Sequence, residues 1–450
     1  MILMGFIALI INFFFPLNLV INSFVSLLLI SFFLYQKESL DWIKLLKNLL
    51  VISVISLILV IFSNGFEPDA SLYHLPATYN INNEKIVIGV SNINFRIGII
   101  SILQYVNAFN VNLISGTDGI LFISAIAVST FLIFLIDQLF EQIKLKKNYL
   151  SFFILLLVAI LCLRFNRYGD FGNDALGHIF FLLTIYSIMN VKNVKHLYLD
   201  KNLNIFIAFL CLQKVFFYYL LIIPIIFISN KILIDKKFKI NLSHFFSISF
   251  LILWMFKSIL TTGCLIYPIS STCSKNFVWY EENLNKNPNA NIVSLEGEAW
   301  AKNWNKNKTD LDIKNYIKKF NWFETWKSDH LKVILNKLFP FFCFIIFLII
   351  LKLLSYNKKF LYHQKKEIKE IFKQKKYTIS LIICFIGSAL WFLKFPIFRY
   401  GSGFLLTFIS LIFLPLVVNT KFTKKNFVFW VTILLAIFFL KNFNRIYYDF

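Results

Sequence analysis

Glu67 and Asp69 flank Pro68 in the stretch NGFEPDASLYHLPATYN, residues 64–80. Two carboxylates held on a proline turn can do acid–base work, because an apolar wall raises a carboxylate's basicity. Asp69 has a plainer use as the N-cap of the helix beginning ASLYHLP. A cap takes one acid and leaves His74 unexplained, so both readings stand. Tyr73 and His74 follow within one turn, and Arg96 lies further on in VIGVSNINFRIG.

Three later stretches carry the same kind of residue. RFNRYGDFGNDALGHI (164–179) puts Asp170 and Asp174 among glycines, with His178 one turn further on. Asp174 also suits the cap of the helix beginning ALGHIFF. FLCLQKVFFYY (209–219) breaks an apolar run with Lys214. That lysine either snorkels from one span or tops a hairpin of two short helices, where it would meet an anionic head group. WFLKFPIFRYGSGFLL (391–406) sets Lys394, Arg399 and Tyr400 around Pro396 and two glycines. Arginine binds phosphate bidentately and tyrosine adds a hydroxyl, whereas a snorkelling arginine needs neither. His74, His178, Asp69 and Asp174 are metal-capable types, but their spacing matches no zinc or calcium motif, so no metal is assigned. Cys264 and Cys273 in TTGCLIYPISSTCSKN are a candidate disulfide.

The elements that must position these groups are membrane helices. The 450-residue chain is 58% hydrophobic and 15% charged, with mean hydropathy +0.70. A soluble domain is nearer half apolar and a quarter charged. The apolar runs number about thirteen, some too short to span alone. They lie near 4–15, 19–35, 48–63, 116–137, 150–165, 175–191, 204–213, 215–229, 243–262, 333–353, 377–393, 403–418 and 427–441. The expected fold is all-α and polytopic, with 11–13 membrane segments, since open sheets cannot span lipid.

Lysine sorts the connections into two sides. Segments 36–48, 138–149, 190–203, 230–242, 355–376 and 419–426 hold 24 lysines. Segments 64–112, 164–174, the Lys214 turn and 394–401 hold seven lysines and arginines together. The first set is expected to be cytoplasmic and the second outward. The net charge of +23 is therefore an orientation signal, and nucleic acid is excluded as a partner. Residues 1–262 make an N-terminal membrane module with outer loops at 64–112 and 164–174. A long outer loop covers 263–332, with tryptophans suited to the headgroup level, and 333–450 form a C-terminal membrane module. QKKEIKEIFKQKK is a lysine-rich amphipathic stretch for water or lipid head groups.

In order and sidedness these pieces resemble the GT-C superfamily of multi-span glycosyltransferases, most closely an uncharacterised bacterial branch of it. The carriers are DASLYHLP, VIGVSNINFRIG, GDFGNDALGH, GCLIYP and FRYGSGFLL, spread over about residues 64–404. The resemblance implies a sugar donor on a polyprenyl phosphate and an acceptor hydroxyl on a glycan, lipid or protein. It implies a site on the periplasmic face of a bacterial inner membrane. It implies Asp69 as catalytic carboxylate, Glu67 second to it, Asp174 in the site, and Lys214 and Arg399 on the lipid phosphate. Tyr73, His74, Arg96, Asp170, His178 and Tyr400 complete the expected substrate-binding set. No bound cofactor is expected, and a divalent metal is left open. No counterpart of the soluble C-terminal domain of the oligosaccharyltransferase branch is expected here.

Two other readings compete. A surface-polysaccharide polymerase or ligase leans on outer arginine and histidine pairs. A transporter or flippase of lipid-linked glycans places charges near the bilayer midplane and repeats its halves. Lys257 is the clear intraspan charge, and it stands in a single helix.

Overall fold

The structure is a computed structural model that describes residues 1–35, 41–62, 69–164, 172, 174–194, 197, 200–226, 229, 241–280, 290–304, 313–354, 370–418 and 422–449. Among the described residues the main helices are α1 (Ile2–Phe14), α2 (Leu19–Tyr35), α3 (Trp42–Val60), α4 (Leu75–Asn83) and α5 (Ile102–Phe109). Then come α6 (Gly119–Lys144), α7 (Asn148–Arg164), α8 (Asp174–Asn190), α9 (Lys201–Gln213) and α10 (Leu242–Thr262). The last are α11 (Ala290–Ala301), α12 (Lys332–Leu354), α13 (Lys375–Lys394), α14 (Phe398–Val417) and α15 (Lys424–Asp449). No strand forms among the described residues; the β pairing is two isolated bridges, Asn112 with Gly116 and Cys264 with Cys273.

The chain is thus an all-α polytopic membrane protein. Seven helices, α3, α6, α10, α12, α13, α14 and α15, are long and apolar enough to cross a membrane. Six shorter apolar helices, α1, α2, α7, α8, α9 and Val215–Ile226, occupy the remaining apolar runs. α7 and α8 bury residues on every side, the pattern of helices surrounded by protein. α2 and α3 expose Phe24, Leu28, Leu46 and Leu50, side chains suited to lipid.

Lipid tails are as apolar as leucine, so packing and buried hydrogen bonds must join these helices. Asn22 of α2 is fully buried and donates to the carbonyls of Ala108 (2.9 Å) and Val111 (2.8 Å) beside α5. Basic residues of α15 close two helix C-termini, where four carbonyls lack intrahelical partners. Arg445 donates to Ile61 (2.6 Å) and Ile58 (2.7 Å) at the end of α3. Lys441 donates to Cys162 (3.1 Å) and Leu163 (2.8 Å) at the end of α7. α8 starts at Asp174, just beyond that end of α7.

The described parts of the long connection at 263–332 lie against the bundle. Cys264 and Cys273 are joined by a disulfide. Of the tryptophans expected at the headgroup level, Trp322 and Trp326 are buried in protein, 2% and 4% exposed. Both pack in an aromatic cluster with Phe323 and Phe392, and Trp326 Nε1 donates to the Pro396 carbonyl at 2.7 Å. That bond gives the buried Trp326 indole N–H a backbone acceptor at the α13–α14 junction. Of the lysine-rich stretch QKKEIKEIFKQKK, residues 364–369 lie outside the described residues.

Candidate functional site

Five helical pieces end or begin together and bring distant residues into one cluster. Arg399, in the first turn of α14, is its hub. Its Nη2 lies 3.5 Å from Asp69 Oδ2, 330 residues away in sequence. Its Nε lies 3.8 Å from Asp174 Oδ2, and Lys214 Nζ is ion-paired to Asp174 Oδ1. Nη2 also donates to the Tyr400 hydroxyl at 2.9 Å, and Lys214 Nζ sits 4.1 Å from the centre of the Tyr400 ring. The charged side chains range from 18% exposed at Lys214 to 38% at Arg399, so a substrate can reach them.

Local structure explains each position. Asp69 opens a single π-helical turn, Ala70–His74, and its side chain makes no capping bond. The cap reading of Asp69 therefore fails: the carboxylate turns to Arg399. Asp174 begins α8, where a carboxylate also meets the positive end of the helix. Lys214 is an extended residue (φ −152°) between α9 and the 3-10 turn Val215–Leu221, and that break points the ammonium at Asp174.

His178 and His74 support the cluster from behind. His178 lies one turn into α8, and its Nε2 is 2.6 Å from the Arg399 carbonyl and 3.1 Å from Ser402 Oγ. A carbonyl only accepts, so Nε2 carries the proton and ties α8 to the backbone of Arg399. A Cβ at Gly403 would stand 2.6 Å from His178 Nδ1, which is why the GSG of α14 ends in glycine. His178, expected on substrate, thus bonds the backbone of Arg399 within the cluster.

His74 is buried, and its Nδ1 lies 2.8 Å from Gln104 Nε2. Gln104 Oε1 accepts from the backbone N–H of Ser101 (2.9 Å) in the capping box of α5, which leaves the amide NH2 for the imidazole. His74 Nδ1 must then accept, so the ring is neutral with its proton on Nε2. Burial brings the His74 pKa down to about 4, against the pull of the Asp69 and Asp174 carboxylates. Tyr73, its ring 4.0 Å from that of His74, has its phenol pKa pushed up by burial and by Asp69. Tyr73 therefore keeps its hydroxyl proton as a hydrogen-bond donor at neutral pH.

The sign of the pH dependence follows. The unfolded chain protonates His74 near 6.5 and the folded chain near 4. The stabilisation is whole above pH 6.5 and is lost as pH falls through 4; it amounts to about 3 kcal/mol. Thermal melting of purified protein from pH 7 to 4 should fall more steeply for wild type than for His74→Gln. Parallel curves would reject this role.

Reading by residue type missed a second ionic group. Glu298 on α11 is buried and accepts from Lys302 Nζ at 2.6 Å and Lys394 Nζ at 2.9 Å. Lys302 is buried over the Trp322 ring, 4.6 Å from its centre, and that burial lowers its pKa despite the pairing with Glu298. The ring of Trp300, between Glu298 and Lys302 in sequence, has its centre 5.9 Å from the Arg399 guanidinium. α11 thus packs beside the cluster. Glu298 and Lys302 are four apart, the spacing of helix ion pairs, and that was the signal available in the sequence. Glu298→Ala leaves Lys302 buried without its carboxylate, so we expect about 3–5 kcal/mol of destabilisation. Denaturation of the variant in detergent measures this, and an unchanged midpoint would contradict the pairing.

Not every expected residue arrives. Arg96 lies over the Phe95 ring at 4.7 Å and makes none of the cluster's ion pairs among the described residues. Its turn, Phe95–Gly98, packs instead toward Thr262 and Tyr267, which a Cβ at Gly98 would touch at 3.0 Å. Glu67 and Asp170 lie outside the described residues. No group of three metal-capable side chains forms among the described residues. Lys257 is 2% exposed, with its Nζ 4.8 Å from the Trp254 ring. Two cavities, of 460 Å³ beside Lys327 and Leu331 and of 710 Å³ between α6 and α8, touch none of the cluster's charged groups.

A family profile described as Domain of unknown function (DUF8201) matches residues 1–406. No curated protein and no solved structure matches the chain.

Proposed function

We propose, on the premise that this chain belongs to the DUF8201 family, that it is a membrane glycosyltransferase moving a sugar from a polyprenyl phosphate to an acceptor hydroxyl. The observation that carries the reading is the meeting of Asp69 and Asp174 on Arg399, with Lys214 beside them. A base must keep a lone pair available, and the two carboxylates differ in this. Asp174 faces two cations at once, which holds it as an anion and weakens it as a base. Among the described residues the ion pair of Asp69 is one long contact, through Oδ2 to Arg399. Asp69 is therefore the base, and Asp174 orients the cations.

The acceptor oxygen forms its bond to the anomeric carbon as the bond from that carbon to the phosphate oxygen breaks. Asp69 takes the acceptor's proton. The phosphate leaves as an anion, and Arg399 and Lys214 stabilise the charge that develops on it. A single carboxylate base with direct displacement inverts the anomeric centre, through an oxocarbenium-like transition state as in glycoside hydrolysis. The lysine asymmetry favours the extracytoplasmic face of a bacterial inner membrane for this chemistry.

The test uses purified full-length protein in lipid, radiolabelled polyprenyl-phosphate sugars as donors and cell-envelope extract as acceptor. Label should move from one donor class in an Asp69-dependent manner. Folded protein that moves label from none of the donors overturns the proposal and returns weight to a polymerase, ligase or flippase.

A further inference from the structure

The 710 Å³ cavity lies between α6, α8 and α9, well away from the charged cluster. Its lining runs along α6 from Ile126 to Gln138 and along α8 from Ile179 to Val191. Twelve residues of helix rise about 18 Å, so the cavity is a slot parallel to the helices. That length is close to one leaflet, half of the roughly 30 Å hydrocarbon core. At about 100° per residue, Ile179, Leu183, Tyr186 and Asn190 share one face of α8, while Asp174 projects from the opposite one. The slot is therefore separate from the site built on Asp174.

Its two ends differ in chemistry. Toward the middle of the bundle the walls are apolar: Ile126, Phe131, Ile179, Phe180 and Phe206. At the far end, where α8 stops and α9 starts, they are Gln138, Tyr186, Asn190, Asp200 and Asn202. Tyr186 donates to Gln138 Oε1 at 2.5 Å, and Asp200 accepts from the Leu203 N–H at 2.9 Å, so these polar groups are held in place. Ile126 is 41% exposed and Thr130 is exposed, which opens the slot sideways on the face of α6. Among the described residues no lysine or arginine lines it; Asp200 brings a carboxylate, and the α-amino group of Met1, whose pKa burial lowers, stands on the same wall. Phosphate and carboxylate head groups are disfavoured there.

We infer that this slot binds one membrane lipid with a single long hydrocarbon chain and an uncharged hydroxyl head, in the leaflet opposite the charged cluster. The chain lies along α6 and α8, and the hydroxyls meet the amides and the Asp200 carboxylate at the helix ends. Such a lipid covers apolar walls that water would otherwise wet, and its head finds hydrogen-bond partners in the same place.

A photoactivatable monoacylglycerol with a diazirine on its sixteenth-carbon-length chain, a length on the order of one leaflet, is the probe. It is offered to the full-length protein in phospholipid nanodiscs, and crosslinks are mapped by peptide mass spectrometry. Labelling should concentrate on α6 around Ile126–Phe134 and on Leu183. Unlabelled monoacylglycerol should compete it down at least tenfold, and the matching free fatty acid should compete poorly. Ala127→Phe, which narrows the slot, should cut labelling at Leu183. The competition on wild type decides the matter even where that variant folds badly. Labelling spread evenly over Phe24, Leu28 and Leu46 on the exposed helices, and not displaced by competitor, overturns the site. Equal competition by the fatty acid overturns the uncharged head group.

Discussion

Asp69→Asn is expected to lower sugar transfer by about two to four decades, the usual worth of a positioned general base. The asparagine keeps the shape and still accepts a hydrogen bond, so the loss is one of basicity. Little stability should go with it. The contact with Arg399 is 3.5 Å long between side chains 28% and 38% exposed, and such pairs contribute about 1 kcal/mol or less. The decisive comparison is kcat for Asp69→Asn against Asp174→Asn, with melting temperatures measured alongside. A larger kcat loss in Asp174→Asn, at equal stability, would reverse the roles of the two acids. An unchanged rate in Asp69→Asn would reject it as the base.

Arg399→Gln should cost about two to three decades in kcat/KM, the scale for losing one preorganised donor to developing charge. Arg399→Lys should recover less than a tenth of that loss in rate. The guanidinium reaches Asp69 and Tyr400 through Nη2 and Asp174 through Nε, and a lysine offers one point charge for all three. The fold should survive both changes, because His178 holds position 399 by its backbone carbonyl. Steady-state kinetics of both variants, with melting curves, separate the chemistry from the scaffold. Wild-type kcat/KM in Arg399→Gln would exclude the arginine from charge stabilisation.

Three residues illustrate how packing supplies partners that residue type alone does not name. His178 was expected on substrate, one turn into the helix that follows an acidic loop. Its ring instead bonds a backbone carbonyl 221 residues away, a partner no local pattern names. Trp322 and Trp326 looked like headgroup anchors. They became a buried cluster because their neighbours in space, Phe392 and the Pro396 carbonyl, come from a different helix junction.

The sequence by itself determined the helices. A run of apolar residues is a local signal, and in lipid each backbone N–H and C=O must be satisfied within its own segment. That requirement is why the apolar runs are helical among the described residues, and why Asp69, Asp174, Lys214 and Arg399 all stood out as charges at apolar edges. Only the tertiary structure decided which of them meet. Asp69 and Arg399 are 330 residues apart and Lys214 and Asp174 are 40 apart, and nothing in a local stretch encodes such a pairing. The choice lies in packing: α7 and α8 are buried on all sides, so the helices around them have few ways to close. Packing turned the Asp69 carboxylate to Arg399 rather than to a helix cap, kept Arg96 out of the cluster's ion pairs, and set Glu298 beside the cluster from a loop that local reading had left without chemistry.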